Sequence, residues 1–186
     1  MIVSCKKGDT GPAGAAGTAN VIYSNWFTPG MYTKDTVFGI YQFYFNDTAS
    51  RITQKLLDSG VVITFGKLDG YNPSVWPANQ VAAMPITITY LQGSTIYNDT
   101  WSALATPGNL RIQFVDDQNF YNSISNAHQF RYVIIPGGVS TANASVRPGL
   151  QTGNGVLPSA SDIDVVRKNF QQMSYGEICQ RLNIPL

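Results

Sequence analysis

Charged side chains are scarce in this chain of 186 residues: Lys, Arg, Asp and Glu make up 12% of it, about half the ~25% usual for globular proteins. The 12 basic and 11 acidic residues nearly cancel, to a formal net charge of +1. That leaves no electrostatic footprint of the kind nucleic acid requires, so no nucleic-acid partner is expected. Histidine occurs once, as His128, which excludes a His-rich metal site or a pair of His acid/base groups. Cysteine occurs twice, as Cys5 and Cys179. No zinc-ligand spacing, phosphate-cradling glycine loop or nucleophile elbow is present. No run approaches the ~20 apolar residues that cross a bilayer as a helix. The expectation is a protein with no catalytic residues, no metal and no cofactor.

What the chain does contain points to β structure. Tyr, Phe and Trp reach 12%, alongside 17 Gly and 10 Pro, and the apolar share is an ordinary 44%. Aromatic residues favour pleated, half-buried surfaces, and Gly and Pro punctuate turns. The length fits one domain plus a tail and allows a sizeable core.

The first twenty residues follow different rules. Ile2, Val3 and Ser4 before Cys5 match the end of a bacterial lipoprotein signal, in which a small residue precedes the cysteine that is lipidated. Lys6 and Lys7 follow, and then the triplets Gly8-Asp9-Thr10, Gly11-Pro12-Ala13, Gly14-Ala15-Ala16 and Gly17-Thr18-Ala19. Glycine at every third position is what a collagen axis demands, but only Pro12 supplies rigidity. In an extended state these twelve residues reach at most about 37 Å, suited to a tether. The expected organisation is residues 1–5 as signal remnant and lipidation site at Cys5, 6–19 as collagen-like tether, and 20–186 as the folded domain.

The run from Cys5 to Gly14 leading into Thr18 to Ser24 resembles the start of collagen-like-triplet lipoproteins of the Bacteroidetes kind. His128 to Gly138, Ser174 to Cys179 and Asn183-Ile184-Pro185 also resemble that family, so the similarity covers nearly the whole chain. The resemblance implies an exported protein held at the cell envelope, as an outer-membrane lipoprotein, by its lipid anchor. The family has no established activity, and no catalytic residue carries over. It also implies that Asp35-Thr36-Val37 and Asp47-Thr48-Ala49 are Asp-Ser/Thr-aliphatic sites for O-linked glycans at Thr36 and Thr48. Thr48 is equally suited to cap a helix.

In the body of the chain, period-2 patterns mark strands at 20–25, 36–45, 61–68, 85–91, 94–104, 110–115 and 129–135. Pro29-Gly30, Pro107-Gly108, Pro136-Gly137 and Pro148-Gly149 mark turns. Between the second and third strands, Ile52, Leu56 and Leu57 share a helical face in Ala49 to Ser59, which Gly60 ends. The fold class expected is mainly β, an antiparallel β-sandwich with one inserted short helix and a C-terminal helical tail. Gly137 to Ser161 reads as an exposed loop. Ile163, Val166 and Phe170 then recur at helical spacing, and Ser174 with Glu177 forms a capping box for a last helix ending near Leu182. The tail is expected to cover a sheet edge or an open end of the sandwich.

Candidate functional groups are few. The segment Tyr71 to Gln80 sets Trp and Tyr beside Asn and Gln between two prolines, so Tyr71, Trp76 and Asn79 are the candidate ligand-binding residues, with a glycan or a protein as partner. The competing reading of Trp76 is a plug in the core. His128 at a strand start is expected to be hydrogen-bonded, and Cys179 to be a buried free thiol. Asp116-Asp117 at the end of a strand suggests part of a Ca²⁺ site or a carboxylate pair for a carbohydrate-active enzyme, but adjacent strand residues point to opposite faces, which favours a turn. Asn46, Asn98 and Asn143 open Asn-x-Ser/Thr sequons, read as coincidence in a bacterial protein. The function expected is a non-enzymatic binding or surface-structural module, with a carbohydrate-active enzyme or a homotrimer built through the triplets as alternatives, and the oligomeric state left open.

Overall fold

The structure, a computed structural model, describes residues 21–136, 168 and 172–186. Cys5, the tether 6–19, Asn143, the loop 137–161 and the helical spacing of Ile163, Val166 and Phe170 lie outside the described residues.

Two antiparallel sheets face each other. The strands are β1 (Ile22–Tyr23), β2 (Thr33–Val37), β3 (Ile40–Ala49), β4 (Val61–Lys67), β5 (Ala82–Ala83), β6 (Ile86–Gln92), β7 (Thr95–Thr106), β8 (Gly108–Asp116) and β9 (Gln129–Ile135). Sheet order is β1-β9-β4-β5 in one layer and β2-β3-β8-β7-β6 in the other. Alternation along each strand sends one set of side chains inward. Phe43, Trp101, Ile112 and Phe114 of the larger sheet meet Phe130, Tyr132 and Ile134 of the smaller. Gly66 leaves room at this interface, since a Cβ there would lie 3.1 Å from Ile86 Cδ1 and 3.4 Å from Phe130.

The expected strand 36–45 is a hairpin instead. Its chain reverses at Phe38-Gly39, with Val37 opposite Ile40 and φ of 49° and 84° at the two turn residues. A two-residue turn with positive φ at both positions matches strand twist, and Asn-Gly or Asp-Gly is its usual signal. Phenylalanine carries no such signal, so the turn hides inside an apolar run.

The inserted helix is also shorter than the expected span. β3 runs through Asp47, Thr48 and Ala49, which pair with Leu110, Asn109 and Gly108 of β8. Helix α1 (Gln54–Ser59) begins only after Thr53, whose hydroxyl accepts the Leu56 N–H, and Gly60 closes it as anticipated. Thr48 therefore caps nothing: the ladder with β8 satisfies the backbone there, and pairing overrides helical periodicity.

Helix α2 (Tyr175–Leu182) starts with the expected capping box, Ser174 with Glu177. It does not cover an edge or an open end. Tyr175, Ile178, Cys179 and Ile184 pack on Val61, Ile63, Phe65 and Val133, the outer face of the smaller sheet. Those outward positions of β4 and β9 are as apolar as the inward ones, so both faces of this sheet need cover, and a helix layer supplies it. Buried Arg131 fixes the arrangement: it donates to the carbonyls of Ser24 (3.0 Å) and Pro185 (2.7 Å) and to the Tyr175 hydroxyl, with its guanidinium 4.8 Å from the Tyr23 ring centroid. Cys179 is a free, buried thiol.

Candidate functional site

The sandwich has two unlike ends. At the base lie Val21 leading into β1, α1, the Pro107-Gly108 turn and Pro136 at the end of β9. At the opposite end, the β2–β3 and β6–β7 turns gather with the two longest described connections, 68–81 and 117–128. Local turn bonds shape these connections, and a second set of side-chain hydrogen bonds joins residues far apart in sequence.

Asp99, near the start of β7, is its centre. It points inward opposite Asp116 of β8 and is wholly buried. Its Oδ2 accepts the hydroxyls of Tyr71 (3.0 Å) and Tyr121 (2.9 Å). The Tyr71 oxygen in turn accepts the Trp101 indole N–H at 3.0 Å, and the Tyr90 and Tyr121 hydroxyls lie 3.0 Å apart. Because Tyr121 donates to Asp99, Tyr90 must donate to Tyr121, so every proton of the chain points toward one carboxylate. Asp99 Oδ1 has no hydrogen-bond partner among the described residues. Burial raises the Asp99 pKa above its ordinary value, the two tyrosine hydroxyls work against that rise, and neighbouring Asp116 adds to it. Burial and the nearby carboxylate likewise push the Tyr71 and Tyr121 hydroxyls well above the ordinary phenol range.

The Tyr71 and Tyr121 rings that this carboxylate orients form walls of a cleft of ≈ 170 Å³. Trp101 and Phe114 line its depth, Ser123 and Ser125 one side, and Asp69 and His128 the other. Phe114 and Tyr121 stand nearly perpendicular, 84° at 5.3 Å, and Trp101 meets Phe114 at 54° and 4.7 Å, so the rings enclose a box and do not form a flat platform. His128 is buried, with Nδ1 accepting the Asp69 backbone N–H at 3.0 Å, as expected of a hydrogen-bonded histidine. Burial lowers its pKa to about 4, partly opposed by Asp69, so the ring is neutral at pH 7. A second hollow, ≈ 450 Å³, adjoins across Ser123-Ile124-Ser125 and includes Tyr32 and Lys34.

Of the three loop residues singled out from the sequence, only Tyr71 lines the cleft. Trp76 is 7% exposed and joins the main core, in line with the plug reading, and Asn79 is exposed in the left-handed region at φ 64°. Asp116 ends β8 and Asp117 opens the turn after it, and the two carboxylates serve different partners, in line with the turn reading. Buried Asp116 accepts the N–H groups of Gln118 (3.2 Å) and Phe120, shaping the turn, while exposed Asp117 accepts from Asn98 at 3.1 and 2.7 Å, which holds its carboxyl below the usual range. Thr36 on edge strand β2 and Thr48 on the outer face of β3 are both exposed.

Sequence reading missed Asp99, Tyr90, Trp101 and Tyr121. One signal was available: an Asp inside the otherwise uncharged strand run Ile96 to Ala105, at a position where alternation demands an inward side chain. Among the described residues no group of His, Cys, Asp or Glu is arranged to hold a metal ion, and no helix is long and apolar enough to cross a membrane. No protein-family model, curated protein or solved structure matches the chain.

Proposed function

We propose that this chain is a lipid-anchored protein of the cell envelope whose β-sandwich is a non-enzymatic binding module, with the cleft between Tyr71 and Tyr121 as its ligand site. The observation that carries this reading is the placement of the cleft relative to the start of the sandwich. Ile22 pairs with Ile134 beside the Val61–Ile135 pair, so the chain enters at the base. Asp99 lies seven residues of β7 away from the base end of that strand, or about 25 Å. A tether ending near residue 20 and anchored through Cys5 would therefore hold the base toward the membrane and turn the cleft outward. In this reading the exposed Thr36 and Thr48 are available to glycosylation, and the lipid is the module's contact with the outer membrane.

The carboxylates support binding over catalysis. Neither Asp99 nor Asp116 lines the cleft, they are 0% and 2% exposed, and Asp116 is committed to backbone N–H groups. Paired glycosidase acids must instead flank a bond with room for water or a glycosyl intermediate.

Mass spectrometry of the N-terminal peptide from the native cells tests the anchor. The expected peptide begins at Cys5 and carries acyl chains; an unmodified Met1 start would remove the envelope from the proposal. Ligand titration of the intact protein and of Tyr121→Leu tests the cleft independently.

A further inference from the structure

We propose that the cleft between Tyr71 and Tyr121 takes an organic ammonium head group, a trimethylammonium or similarly alkylated nitrogen. This rests on the reading of the cleft as a ligand site and names the chemistry it selects. Cations are drawn to the negative faces of aromatic rings, most strongly where water is excluded. Trp101, Phe114 and Tyr121 line one cleft with Tyr71, and the Phe114 ring stands at 84° to Tyr121 and at 54° to Trp101, which suits a rounded cation better than a flat ring lying on a platform. The volume, ≈ 170 Å³, compares with the roughly 150 Å³ cavity that admits benzene, so one compact head group fits.

The charges around the box agree in sign. Asp69 lies at the cleft and is exposed, and Asp99 sits behind both tyrosines with one oxygen that has no partner among the described residues. Among the described residues the hydrogen-bond partners of Asp99 are neutral phenols and no Lys or Arg lines this cleft. A phenol donating its proton to a carboxylate becomes richer in electrons, which strengthens the ring's attraction for a cation. His128 adds no positive charge at neutral pH, because burial keeps its ring deprotonated. Lys34 belongs to the neighbouring hollow, where its Nζ sits 3.6 Å from the Tyr41 ring centroid, and Lys67 Nζ lies over the Trp26 ring at 4.4 Å. An uncharged sugar could hydrogen-bond Asp69 but would gain no charge attraction from it or from Asp99, which is what the isostere comparison isolates.

The test is calorimetric titration of the full chain with choline and with its neutral isostere 3,3-dimethylbutan-1-ol, alongside a panel of neutral monosaccharides. Choline is expected to bind at least tenfold tighter than the isostere. Tyr121→Leu should weaken it at least tenfold, and Asp69→Asn several-fold. The Asp69 side chain is exposed and its backbone, not its carboxylate, meets His128, so the second variant keeps the fold if the first does not. Vesicles of phosphatidylcholine and a trimethyllysine peptide, titrated separately, distinguish a lipid source of the head group from a protein one. Equal binding of choline and isostere overturns the proposal. Monosaccharide binding that Tyr121→Leu abolishes, without choline binding, overturns the ammonium chemistry but leaves the cleft as a ligand site. Silence of every probe at 10-fold above millimolar concentration (about 10 mM, where a Kd near 1 mM corresponds to about 4 kcal/mol) overturns both, while the acylation state of Cys5 still decides the envelope reading by itself.

Discussion

At the base of the sandwich, β7 passes into β8 through Pro107-Gly108, with Gly108 at φ 77° and its N–H on the Ile52 carbonyl at 2.7 Å. At the cleft end, β8 runs into the connection 117–128, which is shaped by Asp116, clamped to another hairpin by Asn119 and tied to Asp99 through Tyr121. The base is thus made of a tight turn, tied to the chain before α1 by that backbone bond, and aliphatic burial around Ala49, Ile52 and Leu110. The cleft end adds buried polar side chains, among them Asp99, whose partners lie tens of residues away. Apolar burial is non-directional and tolerates change in surface chemistry, whereas a buried carboxylate is stable only with its donors in place. Stability should therefore concentrate at the base and recognition at the cleft.

The sharpest way to break that division is Leu110→Ala. Leu110 is 1% exposed in the core near the base, and such truncations cost about 2–5 kcal/mol. The denaturant midpoint should fall accordingly while the folded fraction binds cleft ligands unchanged. A parallel loss of affinity would show that the two ends are mechanically coupled.

A second test uses acid. The His128 pKa is lowered to about 4 in the folded chain from the ordinary 6.5, so below pH 6.5 the unfolded chain takes up this proton first. The destabilisation is absent above about pH 6.5 and grows as pH falls to about 4, reaching roughly 3 kcal/mol. Asp99, whose folded pKa is raised, acts in the opposite sense at low pH. The measurement is therefore the difference between the wild type and His128→Gln, in which the Asp99 contribution is common. His128→Gln should flatten the loss between pH 6.5 and 4; an unchanged slope would mean that His128 is not the group that titrates.

The same contrast explains what the sequence disclosed. At the base the end of β3 was hidden, Asp47–Ala49 pairing with β8 where a helix was expected from Ala49, but the Pro107-Gly108 turn and the Gly60 stop follow from local chemistry. So did the alternation of Ile86 and Ile88 inward with Thr87 and Thr89 outward, and the Ser174–Glu177 capping box. The cleft was legible only through Tyr71, because Asp99, Trp101 and Tyr121 sit on separate elements that nothing but the sheet register brings together. The Phe38-Gly39 turn escaped for a related reason. It is held from a distance, Asn119 accepting the Tyr41 N–H and donating to the Gly39 carbonyl, both at 2.7 Å. Helix α2 lies on a sheet face rather than an edge because outward Val61, Ile63 and Phe65 of β4 are apolar as well as inward Val62, a pattern its run Val61 to Phe65, broken only by Thr64, already carried.

Asn119 is the next point at which to separate the ends. Asn119→Ala removes both bonds to the β2–β3 hairpin and a side chain that tolerates the left-handed φ of 55° found there. Two hydrogen bonds at about 1 kcal/mol each set the scale of the loss. Amide exchange at Tyr41 should accelerate well before that of Ile112 at the sandwich centre. Equal acceleration at both sites would mean that the cleft end opens only with global unfolding.

Phe38→Asn is the smallest expected effect and the only one with the opposite sign. Phe38 is fully exposed at φ 49°, so its ring contributes no burial, while its Cβ is strained in the left-handed region where asparagine is at ease. If the turn is no more than a connection, the exchange should raise stability by a few tenths to about 1 kcal/mol, read as a higher denaturant midpoint, with choline affinity unchanged. A fall in stability would mean that the ring makes a contact that outweighs the strain. A gain in stability accompanied by lost affinity would instead extend the recognition surface from the cleft out to the hairpin tip, and the division between a stabilising base and a binding end would then include a residue kept strained for its exposure.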